Sequence, residues 1–206
     1  MEQEKQIKYI LIVLVLSLLL LGGLIIIYRE IKLSQNNFNY NGFDVYRQKE
    51  LNSYNYKIKL FLGNNPQPLL ISIREDPRKL ESIPIESNIK SKIIDGKNES
   101  FITMSENATS LSVIAAAEIS KIIGNSYFFA LPTHGALTSQ PKGKNNLTIK
   151  TCEDVTKTTS IIYLKIAAQT KIYSEEDCVI IEGKDENDLI KAADRLSLTL
   201  LGVMKE

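Results

Sequence analysis

The chain has no tryptophan, a single histidine, two cysteines and no excess of charge of either sign. Each shortage closes off a class of protein. One histidine, His134, with only two cysteines does not supply the ligand spacings of the usual zinc sites. No Gly-x-Ser-x-Gly elbow accompanies it, so a serine-hydrolase arrangement has no nucleophile to offer. Twenty-five Lys and Arg against 24 Asp and Glu leave a net charge of +1, and the two signs alternate along the chain. That distribution makes no basic stripe for nucleic acid or for an anionic membrane surface. Ten glycines are spread thinly and form no phosphate-cradling loop. No internal repeat and no low-complexity segment occurs. These shortages predict no metal, no cofactor and no nucleic-acid partner, and they lean away from an enzyme.

What is present is one long apolar run. From position 9 to 28 no residue is charged, and the core reads ILIVLVLSLLLLGGLIII. Twenty helical residues at 1.5 Å each reach about 30 Å, the thickness of the bilayer hydrocarbon. Lys5 and Lys8 flank one end and Arg29 and Lys32 the other, with Tyr9 and Tyr28 at the interfacial positions aromatics favour. A cleaved signal peptide would have a shorter apolar region ending in a small-x-small site, which Leu21-Gly22-Gly23 matches poorly. The reading is a retained anchor that contacts the lipid bilayer. It divides the chain into a cytoplasmic tail at 1–8, a transmembrane helix at 9–28, a polar tether at 29–41 and one extracytoplasmic domain at 42–206. Gly22 and Gly23 are not spaced as a Gly-xxx-Gly helix-pairing motif.

The equal basic flanks do not decide which side the domain occupies. The cysteines bear on it more. Cys152 and Cys178 fall at expected strand ends, as a disulfide in an oxidising exterior would, with two buried thiols as the alternative. Asn-x-Ser/Thr sequons occur at Asn98, Asn107 and Asn146, although with fifteen asparagines chance accounts for about two of them. A short N-terminal tail before a large C-terminal domain is also the signal-anchor arrangement. The expected location is the cell membrane, single-pass, with the C-terminal domain outside the cytoplasm.

The fold class expected is α/β, with α+β as the alternative. The patterning places strands at 43–47, 54–62 and 68–73 around turns at 49–53 and 63–66, an antiparallel meander. Asp76 before Pro77 reads as the cap of a short helical turn. Strands follow at 91–94 and 100–104, and then an amphipathic helix at 107–123 carries Leu111, Ala115, Ile119 and Ile122 on one face, stopped by Gly124. Further strands are expected at 127–131, 147–151, 160–167, 171–173 and 178–182. The chain closes with a helix at 186–204, capped by Asp185, its buried stripe made of Leu189, Ala193, Leu196, Leu200 and Val203. Strands alternating with two long helices imply a mixed, partly parallel sheet.

Four segments carry a resemblance: REDPRKLESIPI at 74–85, IAAAEISKIIG at 114–124, TCED at 151–154 and CVIIEGKDENDLIKAADRL at 178–196. In content and order the chain resembles uncharacterised archaeal single-pass membrane proteins. The resemblance implies an archaeal, membrane-anchored surface protein in which Cys152 and Cys178 match the family's cysteine pair. It implies no activity.

Candidate chemistry is sparse. The loop 104–110 joins a strand to a helix start, where Ser105, Asn107 and Thr109 could hold a ligand at free backbone N–H groups. Plain capping by Asn107 or Thr109 explains the same residues. His134 is read as lying in a loop after a strand, where α/β proteins place ligand contacts, with a turn or surface histidine as the plainer account. Cys152 is opposed as a nucleophile by its carboxylate neighbours Glu153 and Asp154. Glu118, in an apolar helix, is read as a surface ion pair with Lys121. The functional expectation is a membrane-anchored surface domain, a non-catalytic interaction or assembly module with an unknown protein partner at the cell surface. The alternatives are a small-ligand-binding or hydrolytic domain using Ser105, Asn107, Thr109 and His134, and an accessory subunit of a membrane complex.

Overall fold

The computed structural model describes residues 2–50, 53–63, 65–143 and 146–206; the side chains of 2–10, 12, 13, 30–35 and 53 lie outside that description. The chain divides into two compact units, Met1–Asn39 and Tyr40–Glu206.

The first unit is a single helix, α1 (Glu2–Asn36), followed by the start of a short strand, β1 (Asn37–Tyr40). Helix and strand thus occupy much of the stretch read as a tether. Among the described residues no helix is long and apolar enough to cross a membrane. The expected span at 9–28 is covered only in part, because Tyr9, Ile10, Ile12 and Val13 lie outside the described side chains, as do Lys5, Lys8 and Lys32. The side chains that are described, from Leu14 to Tyr28, are exposed round the helix apart from the half-buried glycines 22 and 23.

The second unit is α/β and holds an antiparallel sheet and a mixed sheet. Strands β2 (Phe43–Glu50), β3 (Ser53–Leu60) and β4 (Leu69–Ile73) form the expected meander; of its turns, positions 51, 52 and 64 lie outside the described residues. Alternation decides which side chains turn inward. Val45 stands opposite Ile58 and Ile58 opposite Ile71, while Tyr56 faces Ile73, and all five are buried. Asp76 then caps α2 (Pro77–Leu80) by accepting the Arg78 N–H, with Pro77 in the first turn as its missing donor allows.

The mixed sheet runs in the order β6-β5-β7-β9-β8. Its strands are β5 (Glu99–Met104), β6 (Thr133–Leu137), β7 (Thr159–Ile166), β8 (Lys171–Glu175) and β9 (Cys178–Gly183). All neighbours are parallel except β8, which pairs antiparallel with β9 through a tight connection. Helices α4 (Ser110–Ile123) and α5 (Glu186–Leu200) pack on each other and on the face carrying Ile102 and Met104. The opposite face carries Phe101, Ile161, Cys178 and Ile180. It is covered by Cys152 and Val155 from the long β6–β7 connection, pinned by the Cys152–Cys178 disulfide.

Helix α5 is buried on nearly every side, its residues from Leu189 to Leu200 all buried except Lys191. One flank meets β9 and β7, and another meets α2. This enclosure explains why Asp194, Arg195, Ser197 and Thr199 are buried along with the expected apolar stripe.

Three expected strands are not strands, and each has a local cause. Residues 91–94 belong to a helix, α3 (Ile89–Ile94), because Ile89 and Ile93, four apart, are the pair that is fully buried. Residues 127–131 form a turn gathered by Asn125, whose carbonyl accepts the Phe128 and Ala130 N–H groups and whose side chain accepts that of Tyr127. The strand begins only after Pro132. Residues 147–151 make one bridge, Ile149 to Leu137, before Thr151 caps a short 3-10 turn at Cys152–Asp154.

Candidate functional site

Strand β5 lies between β6 and β7 although it precedes both in the chain. The connection through α4 to β6 covers one sheet face, and the return from β6 towards β7 covers the other. In open α/β sheets a ligand crevice forms at such a switch point, outside the carboxyl ends of the strands. A crevice of about 310 Å³ is present at that place, between the loop after β5 and the end of β7. Its floor is apolar, with Met104, Leu164 and Leu189, and its rim is polar, with Ser105, Asn107 and Glu186.

The loop is shaped by its own side chains. Ser105 Oγ accepts the Asn107 N–H at 3.3 Å. Thr109 caps α4 by accepting the Leu111 N–H at 3.2 Å. Capping therefore falls to Thr109, and Asn107 is left exposed. The first turn of α4 has no acidic residue of its own; the carboxylate comes from α5, where Glu186 accepts the Thr109 hydroxyl. Sequence reading placed Glu186 at a helix start but gave no sign that it would meet Thr109, since that contact depends on both helices beginning at the same end of the sheet.

His134 does not join this loop. It is the second residue of β6, exposed, and opposite Phe101, with ring centroids 5.3 Å apart. Leu137, three residues on, is the partner of Met104, so His134 sits about 10 Å of strand before the crevice end. Ser105, Asn107 and Thr109 are brought together; His134 is not.

Two charged clusters lie elsewhere in the unit. Glu182 at the end of β9 accepts the Tyr173 hydroxyl at 2.8 Å and pairs with Lys165 at 3.1 Å and Lys171 at 3.6 Å. Burial pushes its carboxyl up, but these three partners outweigh that and hold it below the usual carboxylate range. Glu118 is buried, not at the surface as expected. It pairs with Lys121, as its spacing predicts, and also with Arg74 from the end of β4 at 2.9 Å. Beside it Asp194 is fully enclosed, and burial followed by the Glu118 charge pushes its carboxyl up to about 7.

The sequon asparagines Asn98, Asn107 and Asn146 are all exposed. A second cleft, about 770 Å³, runs between α4 and β6; it is lined by Ile102, Met104, Ala117 and Leu137, with Val113 and Leu147 exposed at its margin.

No family model, characterised protein or solved structure matches the chain, so the reading of the site rests on its geometry.

Proposed function

We propose that the chain is a membrane-anchored surface domain that works by binding other envelope components. In this reading residues 9–28 of α1 lie in the bilayer and the Tyr40–Glu206 unit lies outside the cytoplasm. One observation carries it. Leu14, Leu16, Leu18, Leu19, Leu20, Leu21, Leu24, Ile25, Ile26 and Ile27 are each more than half exposed, and they ring the helix instead of forming one stripe. A helix apolar all round is stable only when something apolar surrounds it. Lipid fits better than a protein groove, which would cover one stripe.

The disulfide supports the outward placement, since such bonds persist in oxidising compartments. The apolar cleft beside α4 supports the interaction role, because contiguous exposed apolar surface marks sites of protein association. The archaeal setting rests on the sequence resemblance alone.

The test uses the full chain in cells. Alkaline carbonate should leave it in the membrane pellet, and lysines at Leu18 and Ile25 together should release it. External protease should then reach the domain in intact cells. Recovery of the unaltered chain in the carbonate supernatant, or protection of the domain until lysis, would overturn the reading. For the interaction role, swapping the anchor for an unrelated one should leave co-purifying partners in place, whereas Val113→Glu with Leu147→Glu should lose them.

A further inference from the structure

Strand β6 is one edge of the mixed sheet, and its outer side is covered only at its last residue. Ser100 donates its N–H to the Pro132 carbonyl, and Thr138 donates its N–H to that of Met104. The even-numbered residues of β6 therefore turn their backbone groups towards β5, and the odd-numbered ones turn theirs outward. Leu137 uses its outward pair: its N–H bonds the Thr148 carbonyl at 3.0 Å, and its carbonyl accepts the Lys150 N–H at 2.9 Å. Thr133 and Gly135 have no backbone bond on that side among the described residues, and Gly135 is exposed. An open edge of this kind is a template for a further strand.

The cleft of about 770 Å³ lies along the same edge. Gly135 stands beside Ile102 and Leu137 beside Met104, so a residue added opposite Gly135 sends its side chain to the α4 side, into the cleft. There is room for it. A Cβ on Gly135 would meet nothing within 4 Å, and Val113 and Ala117 of α4 form the far wall. Among the described residues the one charged side chain lining the cleft, Lys121, is already paired with Glu118, so the group that fits is neutral and apolar. The length of the edge argues against a second copy of the chain as occupant. Positions 133–136 span about 13 Å at roughly 3.3 Å per residue. A self-paired edge so short falls well below the roughly 1,200 Å² that stable interfaces bury, whereas a short linear segment needs no such area.

From this juxtaposition of open edge and cleft we infer that β6 takes up an extended segment of a partner protein as a further strand of the mixed sheet. The segment bonds the backbone of Thr133 and Gly135 and seats one large apolar side chain between Gly135 and α4. The inference rests on the reading of this cleft as the interaction surface, and it names the occupant.

The test is a titration of the isotope-labelled full chain in lipid nanodiscs, made in a host that does not glycosylate asparagine. The probes are short capped peptides in which threonine alternates with valine, leucine or phenylalanine. An amphipathic helical peptide and a polyproline peptide are the contrasts. A strand peptide should shift the amide signals of 113–120 and 133–137 saturably and slow hydrogen exchange at the Gly135 amide. N-methylation of the peptide backbone should abolish binding at alternate residues only. Gly135→Pro removes the outward N–H at an edge position, where proline is tolerated, and should weaken binding about fivefold, the value of one such bond. Gly135→Leu, which fills the seat, should weaken it at least as much. The inference is overturned if no strand peptide binds at millimolar concentration, or if the helical or polyproline peptide takes the cleft instead. It is equally overturned if N-methylation acts without alternation, or if the chain self-associates through this edge. Val113→Glu with Leu147→Glu separates the two readings. If that pair leaves peptide binding intact, the cleft is not the interaction surface and both readings fall. If it abolishes binding while both Gly135 variants bind as the parent does, the surface stands and the added strand falls.

Discussion

Asp194 of α5 receives the backbone N–H of Arg74 at the end of β4, 2.8 Å from its Oδ2, and the same oxygen receives that of Glu75 at 2.9 Å. This carboxyl therefore ties the meander to the helix layer. Its other oxygen has no partner among the described residues, and Glu118 stands near enough to raise its pKa, partly relieved by Lys121. Burial first, and then Glu118, lift it from 3.8 to about 7.

A pH dependence follows from that shift. The folded chain holds this proton more tightly than the unfolded one, so folding takes up a proton between about pH 4 and 7. The stability this group contributes is complete below 3.8 and is lost as pH rises through about 7. Asp194→Asn keeps an oxygen for the two N–H groups and removes the titration. Urea unfolding of parent and variant should show the parent losing ground to the variant from pH 5 to pH 8. A constant difference over that range would contradict the assignment.

The disulfide joins two cysteines 26 positions apart in the chain and fastens the β6–β7 connection over Ile161 and Ile180. Reduction, or Cys152→Ala with Cys178→Ala, should cost about 3.5 kcal/mol by the chain-entropy estimate. The loss would appear as an earlier urea midpoint, with the fold kept by the α4–α5 side of the sheet. No change in midpoint would mean that the connection holds itself in place.

Gly183 ends β9 two residues before the cap of α5. A Cβ there would come within 2.4 Å of the Leu189 nitrogen and 2.7 Å of the Asp185 carbonyl oxygen. These are backbone atoms in the first turn of a buried helix and have little room to move. Gly183→Ala should destabilise by about 2 kcal/mol or more, measurable by denaturation. Gly135→Ala, where a Cβ meets nothing within 4 Å, is the control and should cost far less.

Much of the fold was legible in the sequence. Period-two alternation in β2 to β4 and the apolar stripes of α4 and α5 are local patterns, and Asp76 and Asp185 cap the helices they were expected to cap. The disulfide between Cys152 and Cys178 is present as expected. What was not legible depends on distant partners. The isoleucines of α3 fit either a helix face or a short strand until the core they enter is known. Glu118 reads as a surface ion pair until Arg74 arrives from β4 to share it. Of the candidate site, Ser105, Asn107 and Thr109 were legible because a strand-to-helix loop announces itself. Glu186 was not, because it meets Thr109 only across the switch point. His134 was drawn to the wrong end of its strand by the turn mistaken for a strand before it.

The most direct test of the anchored, outward-facing domain is thiol labelling of intact cells with a membrane-impermeant maleimide, with and without prior impermeant reductant. The account predicts that Cys152 and Cys178 label only after reduction and without lysis. Labelling that needs lysis but no reductant would place free thiols inside the cell and contradict the anchor's orientation and the disulfide together.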